Sequence, residues 1–382
     1  MNTIIKNIGV NVYDNGLFEG QYITPNGMAY NSYLILDEKT CLLDTVDIKA
    51  QDEWIGNLSK ELGENNLDYI VISHVEPDHS YSIGKLLELY PNVKVVGNML
   101  TFRLLDQFYK IDTTNKIVVK DNDTLKLGKT ELTFFTAPMV HWPEVMMSYE
   151  SYTKTLFSAD AFGKFGTRDA DEDWACEARR YYFNIVGKYG CQTQAILNKL
   201  SNLTVKTICP LHGPVLEENI SYYVNLYDIW SSYKPEKDGI FIAYSSVYGN
   251  TKAVAEKLYN DLCDKGIACS ISDLARSDMA ENIEDAFKYS KMVVATTTYE
   301  NEIFPVMNDF LSHLKHKDYQ NRVVGIIENG TWSPNAGKLI KNIFSSMKNI
   351  RICENMVTIK SSANQDTYTQ LDKLKFEIIS AK

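Results

Sequence analysis

Residues Val71–Ser80 read VISHVEPDHS. Together with Tyr69 and Ile70 they start with a run (YIVIS, Tyr69–Ser73) that is apolar, β-branched or aromatic and is cut off by a polar, proline-containing turn, so the spacing predicts a short buried strand that ends at a loop. The loop carries His74, Glu76, Asp78 and His79 in the order H-x-E-x-D-H, two imidazoles and two carboxylates within six residues. In an extended chain His74, Glu76 and Asp78 share one face, because side chains alternate with period two, and His79 points elsewhere. One loop of this kind can serve two adjacent metal ions.

A polar turn whose charges face water is the plainer reading of a lone His or Asp. It weakens here because the chain has only six histidines and two of them sit in this hexapeptide. Two more, His141 in APMVHWPE and His212 in CPLHGP, each follow an apolar run that reads as strand, and KTLFSAD brings Asp160 to the end of another. His313 and His316, in SHLKHKD, read as the solvated end of a helix. Burying several imidazoles and carboxylates together is unfavourable unless something compensates them, and a metal ion does so directly.

The chain has 382 residues, more than one average domain, with 45% hydrophobic and 23% charged residues. No run of eighteen apolar residues predicts a membrane helix, and the start, MNTIIKNIGVNVYDNG, has no long apolar core or cleavage site, so a cytoplasmic protein is expected. A net charge of -10 argues against nucleic acid or anionic membrane as partner. Seven scattered cysteines, none in C-x-x-C, argue for a reducing compartment and against a built-in rubredoxin-type iron site.

Residues 1–234 read as alternating strands and helices: a hairpin of YNSYLILD and CLLDTV around Glu38-Lys39, a helix closed by Gly63, another stopped by Pro91, then further strands and a mostly helical stretch from Glu177 to Leu203. Each candidate ligand follows a strand, where loops of α/β proteins usually assemble sites. The polar segment from Ser231 to Gly239 reads as a linker. Beyond it, from 238 to 382, GIFIAYSS is an apolar strand, VYGNT a hydroxyl-rich loop, and KAVAEKLYNDLCDKG a helix closed by Gly266. Strand, glycine loop and helix make a phosphate cradle from Ser246, Val247, Tyr248, Gly249, Asn250 and Thr251, although an ordinary turn capped by Thr251 fits the short motif about equally. Two later strand ends add Thr298, Tyr299 and Asn301, then Asn329, Gly330, Thr331 and Trp332. Three successive carboxyl-end loops, two with an aromatic, describe a doubly wound parallel sheet with a flat ligand at its switch point.

H-x-E-x-D-H, H-W-P (His141–Pro143), S-A-D (Ser158–Asp160) and H-G-P (His212–Pro214), with Y-N-S-Y (Tyr30–Tyr33) and R-Y-Y (Arg180–Tyr182), resemble the flavodiiron proteins. The likeness covers nearly the whole chain. It implies a metallo-β-lactamase-like αββα domain followed by a flavodoxin-like domain that binds FMN, and two non-haem irons per chain. His74, Glu76 and His141 would hold one iron, Asp78, His79 and His212 the other, and Asp160 would bridge them. Hydrolases of that superfamily usually carry H-x-H-x-D-H and zinc; Glu76 marks the departure. Four imidazoles and three carboxylates without thiolate form a hard N/O set suited to iron or manganese.

The second and third flavin loops depart from the family at TTTYENE and NGTWSPN, with Glu300, Glu302 and Pro334 among the differences; the two acids would add negative charge near the flavin. Two ferrous ions and a reduced FMN together hold the four electrons that take O2 to water, and two NO to N2O needs two. The resemblance implies reduction of O2, with NO secondary, an external donor such as rubredoxin, and a head-to-tail homodimer or dimer of dimers. Tyr182 and Trp142 are candidates for lining the pocket. The alternative is a zinc hydrolase of the metallo-β-lactamase type fused to a flavodoxin-like module.

Overall fold

The structure, a computed structural model, describes residues 4–111 and 114–381. The chain forms two compact units, Met1–Asp228 and Ile229–Lys382.

In the first unit, six strands lie in the order Ile4–Asn7, Tyr33–Leu36, Cys41–Leu43, Tyr69–Val71, Lys94–Gly97 and Lys116–Val118. Five more lie in the order Thr124–Lys126, Glu131–Thr136, Met146–Glu150, Thr155–Phe157 and Thr207–Cys209. The hairpin around Glu38-Lys39 pairs Tyr33 with Leu43, and the strands from Cys41 to Val118 run parallel. Their uninterrupted apolar character has a physical cause: both faces are covered. Tyr33, Ile35, Leu43 and Val71 turn inward against Phe134, Met146 and Phe157 of the other sheet. The alternate residues Leu34, Leu42 and Ile70 pack under Trp54 and Leu58 of helix Gln51–Leu62 and Phe102 and Leu105 of helix Met99–Tyr109. This is the αββα layering of the metallo-β-lactamase fold.

The helix Met99–Tyr109 has no counterpart in the sequence reading. It starts at a capping box, in which Asn98 accepts from the amides of Leu100 and Thr101 while Thr101 accepts from the Asn98 amide. The stretch expected to be mostly helical after Glu177 is broken: helix Trp174–Tyr181, a π-turn over Tyr182–Val186, a short 3-10 turn, then helix Gly190–Leu200.

The second unit is a parallel sheet in the order Cys269–Asp273, Lys237–Tyr244, Tyr289–Tyr299, Arg322–Asn329, with Ile350–Ile352 and Val357–Ile359 both pairing with the last. Numbered along the chain this is 2-1-3-4-5, the flavodoxin-like arrangement, with helices between the strands.

The expected linker at 231–239 is not a free segment. Helix Ile220–Ser231 runs through the division between the units, and Lys237 already belongs to a strand. Between them, Arg322 donates to the Tyr233 carbonyl at 2.8 Å and the Glu236 amide to the Lys288 carbonyl at 3.0 Å. Polar composition suggested a solvated connection; these hydrogen bonds instead fasten the segment to the second unit, so the division falls earlier, after Asp228.

Candidate metal centre and cofactor cleft

After Val71 the strand gives way because Asp44 Oδ1 takes the amides of Ser73 and His74, at 2.7 and 3.3 Å. Pro77 then occupies the first position of the one-turn helix Pro77–Ser80, where its fixed φ is pre-set for helix. The chain therefore turns after Glu76, and the face expected to be shared by His74, Glu76 and Asp78 does not form. His74 and Glu76 go one way, Asp78 and His79 another.

Two groups result. The ligand atoms of His74, Glu76, His141 and Asp160 lie within 4.8 Å of one another, as do those of Asp78, His79 and His212. Asp160 offers one oxygen to each side. Its Oδ2 is 3.0 Å from His141 Nε2 and 3.5 Å from His74 Nε2; its Oδ1 is 3.1 Å from His79 Nε2 and 3.9 Å from His212 Nε2. Glu76 Oε2 lies 3.2 and 3.0 Å from His74 and His141, and Asp78 Oδ2 lies 3.3 and 3.2 Å from His79 and His212.

The fit to cations rests on atoms that proteins rarely leave idle. Both oxygens of Asp78 and of Asp160 are buried without a hydrogen bond: the imidazoles approach Asp160 closely but not in hydrogen-bonding geometry. His79 Nε2 and His212 Nε2 face each other at 3.1 Å. His212 Nδ1 donates to the Ala29 carbonyl at 2.7 Å, so in its neutral form the lone pair sits on the inward Nε2. His74 Nδ1 is held the same way by Glu144 Oε1 at 2.8 Å. Lone pairs and anionic oxygens converging in a buried space fit a pair of cations and little else.

Charge coupling is correspondingly strong. Burial opposes the charge on Asp160, but His79 and His74 beside it hold its carboxyl well below the usual range. Burial likewise opposes a proton on His141, yet its contacts with Asp160 and Glu76 win and raise it to about 9. Backbone strain gathers at the same loops, where Asp44, Met139, Ala159 and Phe162 have φ of 57°, 64°, 51° and 66°. An opening of about 220 Å³ lined by Phe18, Glu19, Tyr30, Glu76 and Asp78 reaches the centre.

Of the two pocket candidates, Trp142 stands edge-on to His74 with centroids 5.2 Å apart and stacks on Phe108. Tyr182 is fully buried and packs on Phe183 and Tyr227. Its neighbour Tyr181 comes within 5.6 Å of the His212 ring, and burial, then the charges of Asp160, Asp78 and Glu76, push its phenol well up. Consecutive residues on a helix point about 100° apart, and R-Y-Y does not say which tyrosine faces inward. Sequence reasoning also passed over Asp44 and Glu144; the only trace of Glu144 is an acid placed among W, P and V in HWPEV.

In the second unit a cavity of about 390 Å³ opens at the carboxyl ends of the strands. Ser246, Val247, Tyr248, Asn250 and Thr251 line it from the first loop, Thr298, Tyr299 and Asn301 from the second, and Asn329, Gly330, Thr331 and Trp332 from the third. Gly249, at φ 88°, begins helix Asn250–Cys263, whose first turn has no side-chain cap, so its amides stay available to an anion. Tyr248 and Trp332 are about nine-tenths exposed, at 91% and 90%, an arrangement that suits stacking on a flat ring. Thr297, Ser333 and Ser361 add to the lining unforeseen. Glu300 lines it too, whereas Glu302 is absent from the lining and sits in the short strand Glu302–Ile303.

A family model described as ODP family beta lactamase matches residues 28–213. An anaerobic nitric oxide reductase flavorubredoxin of Escherichia coli is 31% identical over 353 residues, covering 88% of this chain and 74% of that one. Among solved structures, a rubredoxin oxygen:oxidoreductase of Desulfovibrio gigas is 26% identical with a TM-score of 0.91, over 98% of this chain and 96% of that one. A variant of the flavo di-iron protein of Thermotoga maritima is 25% identical with a TM-score of 0.86, over 98% of both chains. With its αββα unit, its paired buried ligand groups and its flavodoxin-like unit, the chain belongs to the flavodiiron proteins, oxidoreductases that carry FMN and a non-haem diiron centre.

Proposed function

We propose that the protein reduces dioxygen to water, with nitric oxide as a second substrate. The observation that carries this is Asp160, whose two oxygens face two separate sets of buried imidazoles and carboxylates. In this reading His74, Glu76 and His141 would hold one iron and Asp78, His79 and His212 the other, with Asp160 available to both. Two ferrous ions and a reduced flavin, when bound, would supply four electrons, the number dioxygen needs. The chain's own residues do the rest. Glu144 and the Ala29 carbonyl fix which nitrogen of His74 and His212 points inward. Tyr181, whose phenol is held protonated by burial and by the carboxylates around it, keeps a proton beside the ligand groups. Phe18 and Trp142 pack against His212 and His74 and keep bulk water from them.

FMN would place its phosphate on the amides and hydroxyls of Ser246–Thr251, with its ring among Thr298, Tyr299, Asn301 and Trp332. Electrons would come from a rubredoxin-like donor, as the name of the Desulfovibrio relative indicates for that protein. A head-to-tail homodimer would bring the flavin of one subunit to the irons of the other, and a reducing cytoplasm suits seven free thiols.

The test is steady-state consumption of O2 and of NO with one reduced donor; a higher kcat/KM for NO would reverse the substrate order. His212→Ala and Asp160→Ala should abolish both reductions and leave yellow, FMN-loaded protein. Unchanged turnover in either variant refutes the ligand assignment, and zinc in a colourless preparation would select the hydrolase alternative.

A further inference from the structure

Cys263 ends the helix that begins at the cofactor cleft, and Cys269 opens the edge strand Cys269–Asp273. The turn between them passes through Gly266 at φ 69° and sets the two Sγ atoms 3.3 Å apart. Both are free thiols. Cys263 is exposed and Cys269 partly covered, and Tyr259 sits one helical turn back from Cys263.

We propose that Cys263 and Cys269 form a reversible dithiol–disulfide site that reacts with small hydroperoxides. Forming the bond brings the sulfurs from 3.3 Å to a bonded distance of about 2.05 Å. The exposed Cys263 is the attacking sulfur: its thiolate takes the terminal peroxide oxygen, the O–O bond breaks, and the alcohol or water leaves with a proton from solvent. Cys263 is then a sulfenic acid. Cys269 attacks that sulfur, the S–S bond forms, and hydroxide leaves with the Cys269 proton as a second molecule of water. The two sulfurs lose two electrons in total and the peroxide gains them. Cys269, the more covered of the two sulfurs, is the resolving thiol. Nothing in this step depends on the metal ligands or the flavin.

The test treats the whole FMN- and iron-loaded protein with one equivalent of hydrogen peroxide, then digests it with trypsin without reductant. Leu258–Lys265 and Gly266–Arg276 should appear joined, two hydrogens lighter than their sum, and separate with dithiothreitol. The thiol titre of the unfolded protein should fall from seven to five. Cys269→Ser should halt at a Cys263 sulfenic acid that dimedone captures, and Cys263→Ser should leave Cys269 unoxidised. Peptides that stay separate while the exposed Cys191 is already oxidised would overturn the proposal, as would thiol loss unchanged in Cys263→Ser.

Discussion

Glu144 shows how a residue that touches no metal shapes a metal site. Fully buried, it accepts from His74 Nδ1 and from the Val75 amide at 2.9 Å, which fixes the ring and its tautomer together. Glu144→Gln keeps the shape and removes the charge; we expect iron affinity to fall by about 10-fold or more, read as iron per chain after dialysis against graded chelator. His141 gives a pH prediction whose sign follows from its direction of shift. Its pKa in the folded, metal-free protein is about 9, above the ordinary 6.5, so its protonated form stabilises the fold fully below about pH 6.5 and that contribution is lost as pH rises through 9. Metal binding needs the neutral ring. Iron-free protein should therefore lose Tm between pH 6.5 and 9 while iron loading improves over the same window, and a Tm that rises there contradicts the assignment. The Tyr181 proton is tested by Tyr181→Phe, which should lower kcat by about 10²-fold with iron and FMN content unchanged.

The secondary-structure elements do their work mainly by where they stop. Asp44 and Pro77 end one strand and start one helical turn within six residues, and this break sends His74 and Asp78 to different groups. In the flavin unit the equivalent stop is Gly249. A methyl group there would meet no atom within 4 Å, so the whole effect of Gly249→Ala comes from its φ of 88°. We expect about 1 kcal/mol of lost stability in urea melts, with weaker FMN retention because the first helical amides shift; a neutral substitution would show that the turn is not strained.

As a molecule the chain has separate hydrophobic cores, one set centred on Trp54, Ile70 and Phe134, the other on Ile242, Val293 and Ile327. Removing iron with a chelator should thus end gas reduction and leave the flavin absorption spectrum unchanged. The reciprocal holds for flavin removal, with iron content the readout. Much of this organisation was legible in the linear chain. Alternating apolar runs, the polar loops after them and the hydroxyl-rich turn at Ser246–Thr251 are local patterns, and the spacing H-x-E-x-D-H records a loop whose residues are neighbours anyway. Asp44, Glu144 and Tyr181 were not legible, because each acts through a contact with residues remote in sequence. Local periodicity and motif spacing report on neighbours within a few positions, whereas Asp160 acquires its place between two imidazole groups only when two sheets close face to face and exclude water.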